Sequence, residues 1–112
     1  MMARITSHTL NGCDGTHAGN IPVTLRNLAT GTVLARAVMD DGGRLALEIP
    51  AHAIDPTATH ELLFETAAYW DARGVSATVR EIALRFAMPD PAGAYHMPVI
   101  LNPNSYSMWM SA

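Results

Sequence analysis

Lysine is absent from this chain. All seven basic residues are arginine, set against ten acidic ones, for a formal net charge of -3. With no basic run and a negative balance, nothing in the sequence suits a phosphate backbone or an anionic bilayer, so neither nucleic acid nor membrane is an expected partner. Cysteine occurs once, as Cys13, which excludes an internal disulfide and suits a reducing compartment. No apolar run approaches the roughly 20 residues a spanning helix needs, and Met1-Met2-Ala3-Arg4-Ile5-Thr6 lacks the apolar stretch of a signal peptide. The expected location is the cytoplasm. Dinucleotide, P-loop, zinc-protease, CxxC and GxSxG signatures are also missing. Among the five histidines (His8, His17, His52, His60 and His96) none pairs with another at the short spacing of a metal motif, so neither metal nor cofactor is expected. His17, His52 and His60 fall in loops or at loop edges and read as surface residues. Cys13 sits in a turn with no histidine motif nearby and does not read as a nucleophile.

What is present is a rhythm of short strands. The chain has 112 residues, 49% of them apolar, which fits one domain over 1–112 with one ordinary core. Residues 4–10 are β-compatible and end at Asn11-Gly12 and Asp14-Gly15, both strong turn pairs. In Pro22–Leu28, apolar Val23 and Leu25 alternate with Thr24 and Arg26. Thr32–Met39 and Arg44–Ile49 flank Asp40-Asp41-Gly42-Gly43 as a hairpin would. Residues 51–59 read as loop and 60–66 as strand. Ala67–Arg73 is alanine-rich and stops at Gly74, the pattern of a short helix. Residues 79–87, 95–101 (interrupted by Pro98) and 106–110 complete about eight strands, with turns roughly every ten residues. That rhythm predicts an all-β antiparallel sandwich with one short helix rather than βαβ units. Pro98 is expected at an edge or bulge.

Five segments in order carry a resemblance. They are Ile5-Thr6-Ser7-His8-Thr9-Leu10-Asn11, Ala18-Gly19-Asn20-Ile21-Pro22-Val23-Thr24-Leu25, Asp40-Asp41-Gly42-Gly43-Arg44-Leu45, Phe64 to Gly74, and Tyr95-His96-Met97-Pro98-Val99-Ile100-Leu101-Asn102-Pro103. Colinearly from residue 5 to about 107, they resemble the transthyretin-like, 5-hydroxyisourate hydrolase family. The resemblance implies two four-stranded sheets, assembly as a homotetramer, and hydrolytic ring opening of 5-hydroxyisourate in urate and purine catabolism. It also implies an active site at the dimer–dimer interface, in which the family's catalytic residues map to His8, Arg44 and His96. The set suits the reaction. Opening a cyclic amide needs an activated water, a held oxyanion and a protonated leaving nitrogen. Imidazoles exchange protons at neutral pH and a guanidinium holds negative oxygens. Which histidine is base and which is acid is left open by the sequence.

The tail departs from the family. Where relatives end Tyr-Arg-Gly-Ser, this chain reads Trp109-Met110-Ser111-Ala112, exchanging a cation for a thioether and a hydroxyl for a methyl. Likewise Thr78-Val79-Arg80-Glu81 replaces an aromatic-Pro-Glu segment. The tail positions imply Trp109, Met110 and Ser111 as substrate-binding residues in a more apolar pocket, which suits an N-methylated hydroxyisourate. Met108, Trp109 and Met110 also suit a subunit interface, the heavier reading for such side chains. Tyr69 and Trp70 read as packing residues. The rival reading is a catalytically silent binder of a small aromatic ligand in the inter-dimer channel. A structural module without small-molecule binding is a third.

Overall fold

Side chains of the first strand alternate between core and surface, and this fixes which face of the sheet is available for chemistry. The computed structural model describes residues 1–111. In β1 (Met2–Asn11), Ala3, Ile5, Ser7, Thr9 and Asn11 are buried while Arg4, Thr6, His8 and Leu10 turn outward. A slip of one residue would exchange the two sets, so the register is strongly specified. The remaining strands are β2 (Pro22–Asn27), β3 (Val33–Val38), β4 (Arg44–Pro50), β5 (Thr59–Phe64), β6 (Ile82–Ala87), β7 (Ala94–His96), β8 (Val99–Leu101) and β9 (Tyr106–Met108). A short helix, α1 (Ala67–Asp71), joins β5 to β6, and Ala51–Ala53 forms a 3₁₀ turn within the expected loop.

The strands form two layers. One has the order β4-β1-β8-β9, with β7 also paired to β1; the other runs β3-β2-β5-β6. β7 and β8 are two halves of one strand broken at Met97-Pro98, so each layer has four strand positions. The expected sandwich holds, with one seam that the turn rhythm does not reveal: β1 runs parallel to both β7 and β8, whereas the other strand pairings among the described residues are antiparallel. The chain reaches β7 by crossing from the other sheet, so no hairpin dictates its direction.

The layers meet through Ile5, Leu45, Ile49 and Met97 on one side and Leu25, Leu62, Phe64 and Leu84 on the other. Each such side chain contributes about 1.5–3 kcal/mol by leaving water. The helix stop lies at Gly74, whose φ of 67° is the left-handed region that glycine tolerates. Trp70 and Tyr69 are buried beneath α1, as packing residues should be. Tyr69 is held by Asn11 Nδ2, which donates to its hydroxyl at 3.1 Å, and by Arg73 stacked 3.7 Å above its ring. The sixth strand starts at Ile82 rather than at residue 79, because the preceding residues still bridge to other elements: the Val79 amide donates to the Pro103 carbonyl at 2.9 Å.

His60 departs from the surface reading. His60 shares the inward parity of Leu62 and Phe64, and with the strand already under way at Thr59 it lies inside the sheet rather than at a loop edge, fully buried beside Phe86. Among the described residues neither ring nitrogen has a hydrogen-bond partner. Burial lowers its pKa below the ordinary 6.5, with the Ala58 carbonyl and the Asp55 carboxylate opposing.

Candidate active site

Two pairings of β1 bring three distant stretches onto one outward face. His8 stands directly across from Arg44 on β4, and Thr6 stands beside His96 on β7. His8 and His96 are therefore one side-chain step apart along the same face, with Arg44 on the far side of His8. The Thr6 hydroxyl and His96 Nδ1 are hydrogen-bonded at 2.8 Å, which sets the tilt of the ring and leaves Nε2 for a substrate. A groove of about 420 Å³ opens here, lined by Arg4, Thr6, Asp40, Arg44, Ala46 and His96 among others. His8 is not among the residues that line it; it stands across the sheet from Arg44, which is.

The turn before Arg44 is built tightly. Asp40 Oδ1 accepts the Arg44 amide at 2.8 Å, and the Gly43 amide donates to the Asp40 carbonyl at 3.0 Å. Gly43 has a φ of 71°, and a Cβ there would lie 2.5 Å from the Thr9 carbonyl oxygen and 2.9 Å from that of Ala18. Only glycine lets this turn lie against β1. Among the described residues Arg44 makes no salt bridge, whereas Arg4 is paired with Glu48 at 3.5 Å. The Arg44 guanidinium is thus the cation left for an anionic oxygen.

His17 was not expected at the site. Asp14-Gly15 reverses the chain so that His17 bridges back to Leu10. Its ring lies 4.9 Å from that of His8, centroid to centroid, tilted by 32°. His8 Nε2 is 2.9 Å from His17 Nδ1 and 3.2 Å from the Gly42 carbonyl oxygen. The pKa of His8 lies below 6.5, first through partial burial, then through Arg44 and His17, with the Gly42 carbonyl opposing and His96 adding slightly. A neutral His8 at pH 7 follows. The signal for His17 was in the sequence: a reversal over residues 12–15 must carry residue 17 back alongside residue 10. Thr6 was legible too, sharing parity with His8.

The tail reaches the site through register. Val99 pairs with Met108, and continuing that count places Ser111 opposite His96, where both backbone bonds form at 2.9 Å. Pro98 has no N–H to offer in between, so the ladder lapses over Trp109 and Met110 and resumes at Ser111. Trp109 and Met110 are about half exposed and lie outside the groove of the single chain. Ala112 lies outside the described residues. Among the described residues no group of three or more His, Cys, Asp or Glu side chains is placed to hold a metal.

Comparison with known proteins agrees with this architecture. A 5-hydroxyisourate hydrolase of Ralstonia nicotianae is 30% identical, covering 96% of this chain and 97% of its own. The structure of Klebsiella pneumoniae 5-hydroxyisourate hydrolase superposes with a TM-score of 0.82 at 25% identity, over 99% of this chain and 100% of that one. Sea bream transthyretin in complex with thyroxine shares the fold, with a TM-score of 0.83 at 24% identity over 96% and 93%. Residues 5–110 match the model of the HIUase/Transthyretin family. The chain belongs to the HIUase/Transthyretin family.

Proposed function

We propose that this chain hydrolyses the ring of 5-hydroxyisourate or a close, N-methylated analogue, using His8, Arg44 and His96. The observation that carries the reading is the meeting of these three side chains on one outward sheet face beside a groove of about 420 Å³. The relatives that match along nearly their whole length are named for the same reaction. In the proposed reaction, neutral His8 takes a proton from water as it attacks a ring carbonyl. Arg44 holds the oxyanion that forms. The proton that His8 has taken is then delivered to the departing ring nitrogen through the Nε2 hydrogen of His96 as the C–N bond breaks, so that both imidazoles end neutral. The Thr6 hydroxyl donating to Nδ1 keeps that hydrogen on His96 Nε2. The base-and-acid pair contributes on the order of 10²–10⁴ in rate, and an oxyanion partner about 10²–10³.

The groove lies on an open sheet face, so the proposal includes a second copy that covers it, in a homotetramer. Trp109 and Met110, half exposed beside the site, would then meet both the partner and the substrate, and the Ser111 hydroxyl would join them. A single domain over 1–112 and a cytoplasmic location complete the reading; no described helix is long and apolar enough to cross a membrane. A second reading, a silent binder of a small aromatic molecule, draws on the tail, where Met110 stands in the slot of a cation.

Spectroscopic decay of freshly generated hydroxyisourate separates the two. The wild-type protein should accelerate decay, Arg44→Ala should reduce kcat/KM by about 10²-fold, and the trimethylated analogue should turn over faster than the parent. Decay at the spontaneous rate for both compounds would favour the binder. Preference for the unmethylated compound would remove the methylated substrate alone.

A further inference from the structure

The structure assigns His17 a role outside the catalytic set: it is a positioning residue that orients the His8 ring and holds its proton on Nε2. Two acceptors converge on that one nitrogen. The Gly42 carbonyl oxygen, 3.2 Å away, can only accept, so a lone pair on His8 Nε2 would face a lone pair on oxygen. A hydrogen on Nε2 satisfies both this carbonyl and His17 Nδ1 at 2.9 Å. His17 must then carry its own proton on Nε2, and the lone pair of neutral His8 resides on Nδ1.

The arrangement is held from both sides. The β3–β4 turn fixes Gly42, because Gly43 is packed against the Thr9 and Ala18 carbonyls. The β1–β2 loop fixes His17, because the Ala18 amide donates to the Thr9 carbonyl at 2.9 Å and the Asn11 amide to the Thr16 carbonyl at 2.8 Å. His17 is itself exposed, so its exchange does not disturb the core. A surface histidine with ordinary solvation would have no reason to stack at 4.9 Å and share a hydrogen with a neighbouring ring.

The consequence for rate rests on the reading of His8 as the base; the tautomer itself does not. Imidazole acts as base only at the nitrogen lacking hydrogen, so fixing the tautomer and tilt fixes which atom meets the water. The charged and titratable groups around His8 are Arg44 from β4, His96 from β7 and His17 from the loop, with Asp40 in the turn already accepting the Arg44 amide. Loss of His17 removes one of the three groups that disfavour a proton on His8, so the acid limb should move to higher pH.

Long-range proton–nitrogen NMR correlation of the His8 ring above its titration tests this, with His8→Gln for assignment. Wild type should show hydrogen on Nε2 and none on Nδ1. His17→Asn keeps an acceptor oxygen near the place of Nδ1 and should preserve that state, whereas His17→Phe should give a mixture of tautomers. In kinetics, His17→Phe should lower kcat about tenfold with KM little changed. His17→Asn should stay within about threefold of wild type while sharing the upward shift of the acid limb. Hydrogen on Nδ1 in wild type, or an unchanged tautomer in His17→Phe, would overturn the positioning role. If the tautomers behave as stated but no protein hydrolyses hydroxyisourate, the positioning holds and the hydrolase reading is what fails.

Discussion

Burial lowers the pKa of both His8 and His60, yet the two do different work. His8 keeps partners for its ring and stands on the outer face of its sheet; His60 has none among the described residues and sits in the core. For His60 the consequence is stability. Its folded pKa lies below the ordinary 6.5 of the unfolded chain, so the unfolded state binds the extra proton. The folded state is therefore fully favoured above about 6.5 and loses ground as pH falls below it. His60→Leu removes that proton and costs no hydrogen bond. Its urea midpoint should fall less between pH 6.5 and pH 5 than that of wild type; parallel curves would contradict the assignment. The parity of His60 with Leu62 and Phe64 was legible, and the surface reading arose because the loop was carried one residue too far. That His8, Arg44 and His96 would share one face was to be expected for a different reason: each lies inside a segment that carries the family likeness, and the register of β1 with β4 and β7 brings those segments together. His17 lies outside any such segment.

At the scale of elements, the β3–β4 turn carries most of the precision of the site. It sets Arg44 opposite His8 and presents the Gly42 carbonyl to the His8 ring. A methyl group at position 43 would force a left-handed backbone on a residue with a Cβ and press it into two carbonyl oxygens. Gly43→Ala should cost about 2–4 kcal/mol, read as a lower urea midpoint with an unchanged slope. A cost within 0.5 kcal/mol would mean that the turn relaxes freely. The turn itself was visible as Asp-Asp-Gly-Gly between two strands. The parallel seam between β1 and β7–β8 was not, because turn residues record hairpins and this connection is a crossing between sheets. The lapse of the last ladder at Pro98 was half visible: the proline marked the place, and only the pairing of Val99 with Met108 showed that the tail returns to His96.

The whole molecule presents two unlike outer faces. That of the β3-β2-β5-β6 sheet carries a charged ladder in which Glu61 accepts Arg85 Nε at 3.2 Å and faces Arg26 at 4.0 Å. The other face holds the groove, and the tail that returns to His96 leaves Trp109 and Met110 half exposed, apolar surface of the kind that marks an interface. Such a face on a chain of 42 × 23 × 20 Å suits the homotetramer proposed above. Sedimentation should find a tetramer for wild type, and Trp109→Glu should shift it toward smaller species while preserving the β-sheet spectrum. An unchanged assembly would place the interface elsewhere. The central claim is that His8 and His96 act on one substrate as a unit, and a double-mutant cycle in kcat/KM for hydroxyisourate tests it most directly. His8→Ala and His96→Ala should each lose about 10²-fold or more, and the double variant should be no more than about tenfold worse than the weaker single one. Losses that multiply in full, or a wild-type protein no faster than spontaneous decay, would contradict it.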